Sequence, residues 1–260
     1  TTLEDSPMIW LNCLPSLTQI SVELDPRGMT RGWAKMLGDF GTAKVSLGLQ
    51  TLSPHVQHAI GRVQPIEIVE RVFDWLREAD TGSINFDLMY GLPGQSLSDL
   101  YDTLSSTLDM NPDRIALFGY AHAPSLIPRQ RQIDAAHLPD GKLRFATAQL
   151  GYSTLVNAGY APIGFDHFAQ PDDPLELASR SGKMRRNFQG FTGDPASIMI
   201  GLGATAISTF PDRILQNEKN SGAYRWKITA RQFATARGVM RTAEDRARAD
   251  IIENLLCKGE

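Results

Sequence analysis

Short apolar runs recur along the chain, and the more polar stretches between the early ones carry helical patterns. Six runs predict β-strands: QISVELD, KVSLGLQ, SINFDLMYG, RIALFGYA, YAPIGFDHFA and IMIGLGATAIS. Between the third and fourth runs, SLSDLYDTLSSTLDM repeats leucine at helical spacing, and Ser96 is the predicted N-cap with Asp99 three residues later. Strands that alternate with helices predict right-handed βαβ units and a parallel sheet.

The predicted fold class is α/β, with a partial TIM-like (β/α)6 barrel of parallel strands over residues 1–222. The strands are nearly continuous apolar runs, which predicts a sheet covered on both faces. From Tyr224 onward the pattern becomes helical and basic, and no further strand is predicted. We interpret residues 223–260 as the start of a C-terminal helical domain.

Composition narrows the class of protein. The net charge is −3, so the chain as a whole has no bias toward nucleic acid or an anionic membrane. The two cysteines, Cys13 and Cys257, lie near opposite ends of the sequence, which excludes a disulfide framework and suits a reducing cytoplasm. They also leave no cysteine cluster with metal-ligand spacing, so no metal ligand is predicted within this chain.

Polar side chains stand near the end of each of the first five predicted strands. They are Glu23, Asp25, Gln50, Asp87, Tyr120, His122, Asp166 and His167. Ligands of parallel sheets bind beyond the carboxyl ends of the strands, so these groups are expected at one rim. Arg62 adds a guanidinium that can bind a carboxylate with two hydrogen bonds. The residues alone therefore predict a small zwitterionic ligand at the mouth of the barrel.

Longer motifs carry a family resemblance. The segments DLMYGLPGQS and NPDRIALFGYAHAP resemble the radical S-adenosylmethionine superfamily, in the branch of the oxygen-independent coproporphyrinogen III oxidases, or coproporphyrinogen dehydrogenases. GFDHFAQPDDPLELA, RRNFQGFT, IGLGATAIS and QNEKN are similar to the signatures of that branch. The resemblance runs from about Ile20 to the C-terminus.

The resemblance implies two molecules of S-adenosylmethionine and a [4Fe-4S] cluster. Glu23 and Ile207 match positions that contact the S-adenosylmethionine at the cluster. Gln50, Arg62, Asp87 and Ala121 match positions that hold the second molecule. The resemblance also implies that a 5′-deoxyadenosyl radical converts two propionates of coproporphyrinogen III to vinyl groups in anaerobic heme biosynthesis.

Such a substrate carries four carboxylates on an apolar macrocycle, and one connection of this chain offers groups of matching chemistry. The expected substrate-binding residues are Asp166, His167, Phe168, Arg185, Arg186, Asn187 and Gln189. No catalytic residue is assigned. The resemblance further implies an electron-donor protein as partner and a cytoplasmic monomer.

The family binds its cluster through a CxxxCxxC motif, which this sequence does not contain. We therefore expect an internal fragment of a longer enzyme, with the cluster ligands outside this chain. Two alternatives remain open. One is a heme chaperone of the same superfamily, which would carry different residues where DHFAQPDD and NFQGFT stand here. The other is an inactive fragment.

Overall fold

The computed structural model describes residues 19–259, in a chain that divides into two compact units, Thr1–Glu176 and Leu177–Glu260. The strands of the first unit are β1 Ser21–Leu24, β2 Lys44–Gln50, β3 Ser83–Tyr90, β4 Arg114–Gly119, β5 Ala161–Ile163 and β6 His167–Ala169. Its helices are α1 Arg31–Asp39, α2 Pro54–Ala59, α3 Ile66–Glu78, α4 Leu97–Met110 and α5 Gly141–Asn157. Helix α6, Pro174–Arg180, spans the boundary between the units.

The strands of the first unit form one sheet in the order β1-β2-β3-β4-β6-β5. Strands β1 to β4 are parallel neighbours, as the alternation of strands and helices predicts. The α/β class with a mostly parallel sheet is thereby confirmed. The predicted N-cap is also confirmed: Ser96 and Asp99 form a reciprocal capping box at the start of α4.

The hydrophobic core lies on one face of this sheet. Val45, Leu47 and Leu49 of β2 and Ile84, Phe86 and Leu88 of β3 are almost fully buried there. They pack with helix residues that include Val69, Val72, Leu76, Leu100, Leu104 and Leu155. On β2 the buried residues alternate with less buried ones, so the expectation of continuously apolar strands is wrong for β2. The alternate positions of β2 present a polar face.

The segment YAPIGFDHFA was predicted as one parallel strand, and that prediction is wrong. It forms a hairpin in which β5 and β6 are antiparallel to each other, and β6 is antiparallel to β4. Gly164, with φ of +57°, lies in the turn between the two strands and allows the reversal. The chain reverses because of the backbone conformation at this glycine, and the pattern of apolar residues does not indicate that conformation.

The second unit contains β7 Arg185–Asn187, β8 Gly190–Thr192, β9 Ile207–Thr209, β10 Arg213–Asn217, β11 Thr235–Met240, α7 Ser221–Thr229 and α8 Ala243–Lys258. Strands β7 and β8 form a hairpin, and β11-β10-β9 form an antiparallel sheet. The run IMIGLGATAIS was predicted as one strand, but only its end forms one, as part of Ile207–Thr209. Positive φ angles at Gly203 and Thr205 interrupt the extended backbone before that point.

Strand β11 also contradicts the prediction that no strand follows Tyr224. All six of its residues are exposed, so no alternation of buried and exposed positions marks it in the sequence. The predicted domain division after residue 222 differs from the boundary of the compact units and stays a prediction. Within residues 19–259, no helix has the length and apolar content that crossing a bilayer requires.

Candidate functional site

Strands β2 and β3 bring several polar side chains to the face of the sheet opposite the core. Ser46 lies directly opposite Asn85, and Gly48 lies directly opposite Asp87. Directly opposed side chains share one face of a sheet, so Ser46, Asn85 and Asp87 are neighbours. Gly48 contributes no side chain, which allows other polar side chains to approach this part of the face.

Gln50 and Arg62 border the same part of the face. A Cβ atom added at Gly48 would lie 3.1 Å from Gln50 Nε2 and 3.4 Å from Arg62 Nη2. Gln50 has a φ of +61°, and the register between β2 and β3 shifts between Gly48 and Gln50. This irregularity ends the regular pairing of β2 where the polar groups gather.

Backbone and side-chain contacts hold Arg62 in place. Its Nη2 donates to the Gly48 carbonyl oxygen at 2.8 Å, and its Nη1 lies 3.3 Å from Asp25 Oδ2. Asp25 in turn accepts from Arg27 Nη2 at 2.6 Å. The hydrogen bond from Arg27 lowers the pKa of Asp25, so this carboxylate is charged where it meets Arg62.

Three buried polar atoms at this site have no hydrogen-bond partner among the described residues. They are Gln50 Oε1, Arg62 Nε and Asn85 Oδ1. A buried polar group without a partner costs free energy, so such atoms mark places where a ligand or water completes the hydrogen bonding. Two acceptors and a cationic donor beside the Asp87 carboxylate suit a ligand that carries both amine and carboxylate groups.

Further charged groups lie at the opposite, amino-terminal end of these strands. Arg114 of β4 and Asp173 form a buried ion pair, with Arg114 Nη2 2.7 Å from Asp173 Oδ1. Ser83 donates to Asp173 Oδ2 at 2.9 Å. Burial lowers the pKa of Lys44 and raises that of Asp87.

The predicted substrate-binding residues of the first unit fall on two different faces. Asp166 and His167 form a pair, with His167 Nδ1 2.8 Å from Asp166 Oδ1, and His167 lies opposite Ala116 in the sheet. The ring of His167 packs edge-on against Phe118. Phe168 instead belongs to the hydrophobic core and packs against Tyr152 of α5, which favours a structural role for its ring.

The remaining predicted cofactor residues are more scattered. Glu23 is exposed and pairs with Ser46 in the sheet register, and β2 separates its strand from that of Asp87. Ala121 follows β4, and its carbonyl oxygen accepts from Gln130 Nε2. Ile207 is the first residue of β9 and belongs to the second unit.

The other predicted substrate residues, also in the second unit, lie on the β7–β8 hairpin. Arg185 Nε donates to Glu253 Oε1 of α8 at 3.1 Å, and the Arg186 guanidinium lies 5.0 Å from the ring centre of Phe191. Asn187 Oδ1 accepts from the backbone N–H of Gln189 and shapes the turn. Arg185, Arg186 and Asn187 line a cavity of about 650 Å³ together with two arginines absent from the predicted set, Arg241 and Arg246.

Sequence reasoning did not identify Ser46, Gly48 and Asn85. The signal for them is the period-two alternation of Lys-Val-Ser-Leu-Gly-Leu-Gln and Ser-Ile-Asn-Phe-Asp, in which every second residue is polar or glycine. That pattern places them on the same face as Gln50 and Asp87.

Comparisons with known proteins agree with this architecture. The model of the radical SAM superfamily matches residues 2–106. The oxygen-independent coproporphyrinogen III oxidase of Bradyrhizobium diazoefficiens is 44% identical over 245 residues, which are 94% of this chain and 54% of that relative. The oxygen-independent coproporphyrinogen III oxidase of Thermostichus vulcanus is 38% identical over 92% of this chain and 74% of that relative. The solved coproporphyrinogen III oxidase of Escherichia coli, a radical SAM enzyme, superposes with a TM-score of 0.91 at 34% identity, over 98% of this chain and 60% of that one.

This is an α/β domain of the radical SAM class. Its parallel strand–helix units, its polar strand face and its match to the radical SAM superfamily model define that class. The chain belongs to the family of oxygen-independent coproporphyrinogen III oxidases. It spans about half the length of the Bradyrhizobium diazoefficiens relative and of other curated relatives that it matches.

The family implies two groups, S-adenosylmethionine and a [4Fe-4S] cluster. The residues present fit the first of them. The unpartnered atoms of Gln50, Arg62 and Asn85, beside Asp87, suit the amine, hydroxyl and carboxylate groups of S-adenosylmethionine. Residues 19–259 contain no group of three or more His, Cys, Asp or Glu side chains placed to hold a metal ion. Cys257 lies in α8, and Cys13 lies outside the described residues.

Proposed function

We propose that this chain is part of an enzyme that converts coproporphyrinogen III to protoporphyrinogen IX by oxidative decarboxylation in anaerobic heme biosynthesis. The observation that carries the proposal is the site of Gln50, Arg62 and Asp87 around Gly48, with its unpartnered buried atoms, in a chain of this family. When bound, S-adenosylmethionine with a reduced [4Fe-4S] cluster supplies a 5′-deoxyadenosyl radical.

The residues of this site would bind S-adenosylmethionine through complementary charge. Arg62 would bind the ligand carboxylate, since its Nε is a buried donor that lacks a partner in the part of the chain that the structure describes. Asp87 would accept from the ammonium group or the ribose hydroxyls. Gln50 Oε1 would accept a further N–H or O–H of the ligand. Ala121, the fourth position that the family resemblance assigns to this ligand, would contact it through backbone. The family resemblance assigns Glu23 and Ile207 to the other S-adenosylmethionine, the one at the cluster.

The substrate would meet a different set of groups. Asp166 and His167 would position a pyrrole nitrogen or a propionate, because they form a preorganised pair with both a donor and acceptors. Arg185 and Arg186 would bind propionates through charge-assisted hydrogen bonds, with Asn187 and Gln189 shaping the turn beside them. Phe168 would support this region through the core. An electron-donor protein, a monomeric state and a cytoplasmic location belong to the same proposal.

The test is anaerobic turnover by the full-length protein that carries this chain. Coproporphyrinogen III, S-adenosylmethionine and a reductant are supplied, and the porphyrins are separated after oxidation and weighed by mass spectrometry. We expect protoporphyrin in the wild type and a loss of product in Arg62→Ala. Lys35→Ala, at an exposed pair with Asp39, is the matched surface control and keeps activity. Tight heme binding without any decarboxylated product would instead identify a heme chaperone and reject the proposal.

A further inference from the structure

Three side chains on the polar face of β2 and β3 form a closed set of hydrogen bonds. Ser46 Oγ donates to Asp87 Oδ2 at 2.9 Å. Asn85 Nδ2 donates to Asp87 Oδ1 at 2.8 Å and to Ser46 Oγ at 2.7 Å. Each oxygen of the Asp87 carboxylate therefore receives one hydrogen bond from within the chain.

The side-chain donor hydrogens of Ser46 and Asn85 are all used in the set that holds the Asp87 carboxylate. A serine hydroxyl has one hydrogen and an asparagine amide has two, and all three are used within the set. Asp87 is held at both oxygens, so its carboxylate plane is fixed. Each oxygen keeps a second acceptor site that no hydrogen bond within the set uses. Gly48 lies directly opposite Asp87, and the side chains of Gln50 and Arg62 border the position where Gly48 has no side chain.

Burial, hydrogen bonds and nearby charges together affect the pKa of Asp87. Burial raises its pKa, while the hydrogen bonds from Ser46 and Asn85 oppose that rise. The electrostatic influence of His167 of β6 and of Lys44 of β2 also opposes the rise in the pKa of Asp87. Lys44 also interacts with Glu23 of β1 and with the ion pair of Arg114 and Asp173. A buried carboxylate with no donors would more readily become neutral and lose its attraction for a cation.

We propose that Ser46 and Asn85 are positioning residues, which hold the Asp87 carboxylate in one orientation toward the cationic or hydroxyl-bearing part of S-adenosylmethionine. This inference rests on the proposed function, because it assumes that Asp87 binds that ligand. Ser46 is assigned no contact with the ligand, whereas Asn85 Oδ1 is also one of the atoms at the site without a partner among the described residues, so Ser46→Ala is the cleaner test of positioning. Their contribution is to present the free acceptor sites of Asp87 on the side of Gly48.

The test uses Ser46→Ala and Asn85→Ala in this chain, with Ser83→Ala as a matched control. Ser83 lies on β3 and donates to an aspartate, Asp173 Oδ2, over the same 2.9 Å, but at the other end of the strand. Two measurements are made. The pKa of Asp87 is followed in the free chain by ¹³C NMR of its carboxyl carbon, assigned from its loss in Asp87→Asn. Binding of S-adenosylmethionine is followed by calorimetry as a function of pH.

We expect the pKa of Asp87 to rise in Ser46→Ala and in Asn85→Ala but not in Ser83→Ala. Binding should weaken roughly tenfold in Ser46→Ala, the scale of one hydrogen bond to a charged group. Because Asp87 binds as a carboxylate, affinity falls as pH drops through its pKa, so this decline should begin at higher pH in the two variants. Ser46→Thr, which keeps the hydroxyl, should retain most of the affinity.

Two different results would overturn the inference, and they are distinguishable. If the pKa of Asp87 is the same in all variants, or if Ser46→Ala and Asn85→Ala bind like the wild type while Asp87→Asn binds poorly, then Ser46 and Asn85 do not position the carboxylate. If the wild type and Asp87→Asn bind S-adenosylmethionine equally, the assignment of Asp87 in the proposed function fails, and the positioning role fails with it.

Discussion

Arg62 uses only part of its hydrogen-bonding capacity within the chain. Its two terminal nitrogens face the Gly48 carbonyl oxygen and Asp25, while its buried Nε has no partner within residues 19–259. Burial lowers the pKa of Arg62, and the nearby Asp25 carboxylate opposes that shift. An arginine stays charged under these conditions, so a fixed guanidinium remains for a ligand carboxylate.

Removal of this guanidinium should weaken S-adenosylmethionine binding without unfolding the chain. We expect Arg62→Ala to lose about 1.5–3 kcal/mol of binding free energy, the usual contribution of a hydrogen bond to a charged group. Arg62→Lys should not restore it fully, because a single ammonium cannot reproduce the planar fork. Calorimetric titration of the chain with S-adenosylmethionine measures both variants.

Arg77 provides a matched control for that measurement. It also contacts one aspartate, Asp113, and one backbone carbonyl oxygen, that of Asn111, but it lies outside the candidate site. Arg77→Ala should keep the wild-type affinity. Equal affinity in Arg62→Ala and Arg77→Ala would contradict the role given to Arg62.

At the scale of elements, helix α1 contains two glycines with opposite surroundings. A Cβ atom at Gly38 would overlap the carbonyl oxygen of Ala79, the residue that ends α3. At Gly32, the nearest atom to an added Cβ is the Thr30 hydroxyl oxygen at 3.7 Å, an ordinary contact. Gly38 thus allows the close approach of α1 to the end of α3, while Gly32 has no such function.

This difference predicts opposite effects of the same substitution on stability. Gly38→Ala should reduce the free energy of unfolding by about 1–3 kcal/mol, because backbone atoms must move to admit the methyl group. Gly32→Ala should leave stability unchanged or raise it by up to about 1 kcal/mol, since alanine favours a helix more than glycine does. Chemical denaturation of the two variants measures the difference. A loss in Gly32→Ala as large as that in Gly38→Ala would show that the close contact with Ala79 is not the cause.

Elements with a buried face were predictable from the sequence, and elements without one were not. The helices α3 and α4 and the strands β2 to β4 follow from apolar periodicity because each packs into the core. Strand β11 is exposed at every residue, so no pattern of burial distinguishes it from a loop. The β5–β6 hairpin depends on a backbone angle at Gly164, which periodicity does not report.

At the scale of the whole molecule, candidate site residues could be chosen from the sequence, but the hydrogen bonds among them could not. Gln50 and Asp87 could be selected because parallel strands place their carboxyl ends at one edge, and Arg62 because a guanidinium can bind a carboxylate with two hydrogen bonds. The hydrogen bonds that Ser46 and Asn85 make to Asp87 depend on the register of β2 against β3. Register follows from the packing of the whole sheet, so it could not be obtained from either strand alone.

The 260-residue polypeptide should bind S-adenosylmethionine but cleave none of it. Cubane clusters are held by sets of cysteine thiolates, and this sequence contains two cysteines, Cys13 and Cys257. Burial raises the pKa of Cys257, which disfavours the thiolate form that binds iron. Anaerobic reconstitution with iron and sulfide should therefore yield neither a stoichiometric cluster absorbance nor 5′-deoxyadenosine.

The binding site around Gly48 needs no cysteine, so calorimetry on the same sample should still detect the ligand and show that the chain is folded. The positive control is the coproporphyrinogen III oxidase of Escherichia coli, which is a radical SAM enzyme. A stoichiometric cluster and release of 5′-deoxyadenosine from the 260-residue polypeptide would mean that residues other than a cysteine triad hold the iron. Cys257→Ser would then show whether α8 takes part, because loss of the cluster in that variant would place one ligand on this helix.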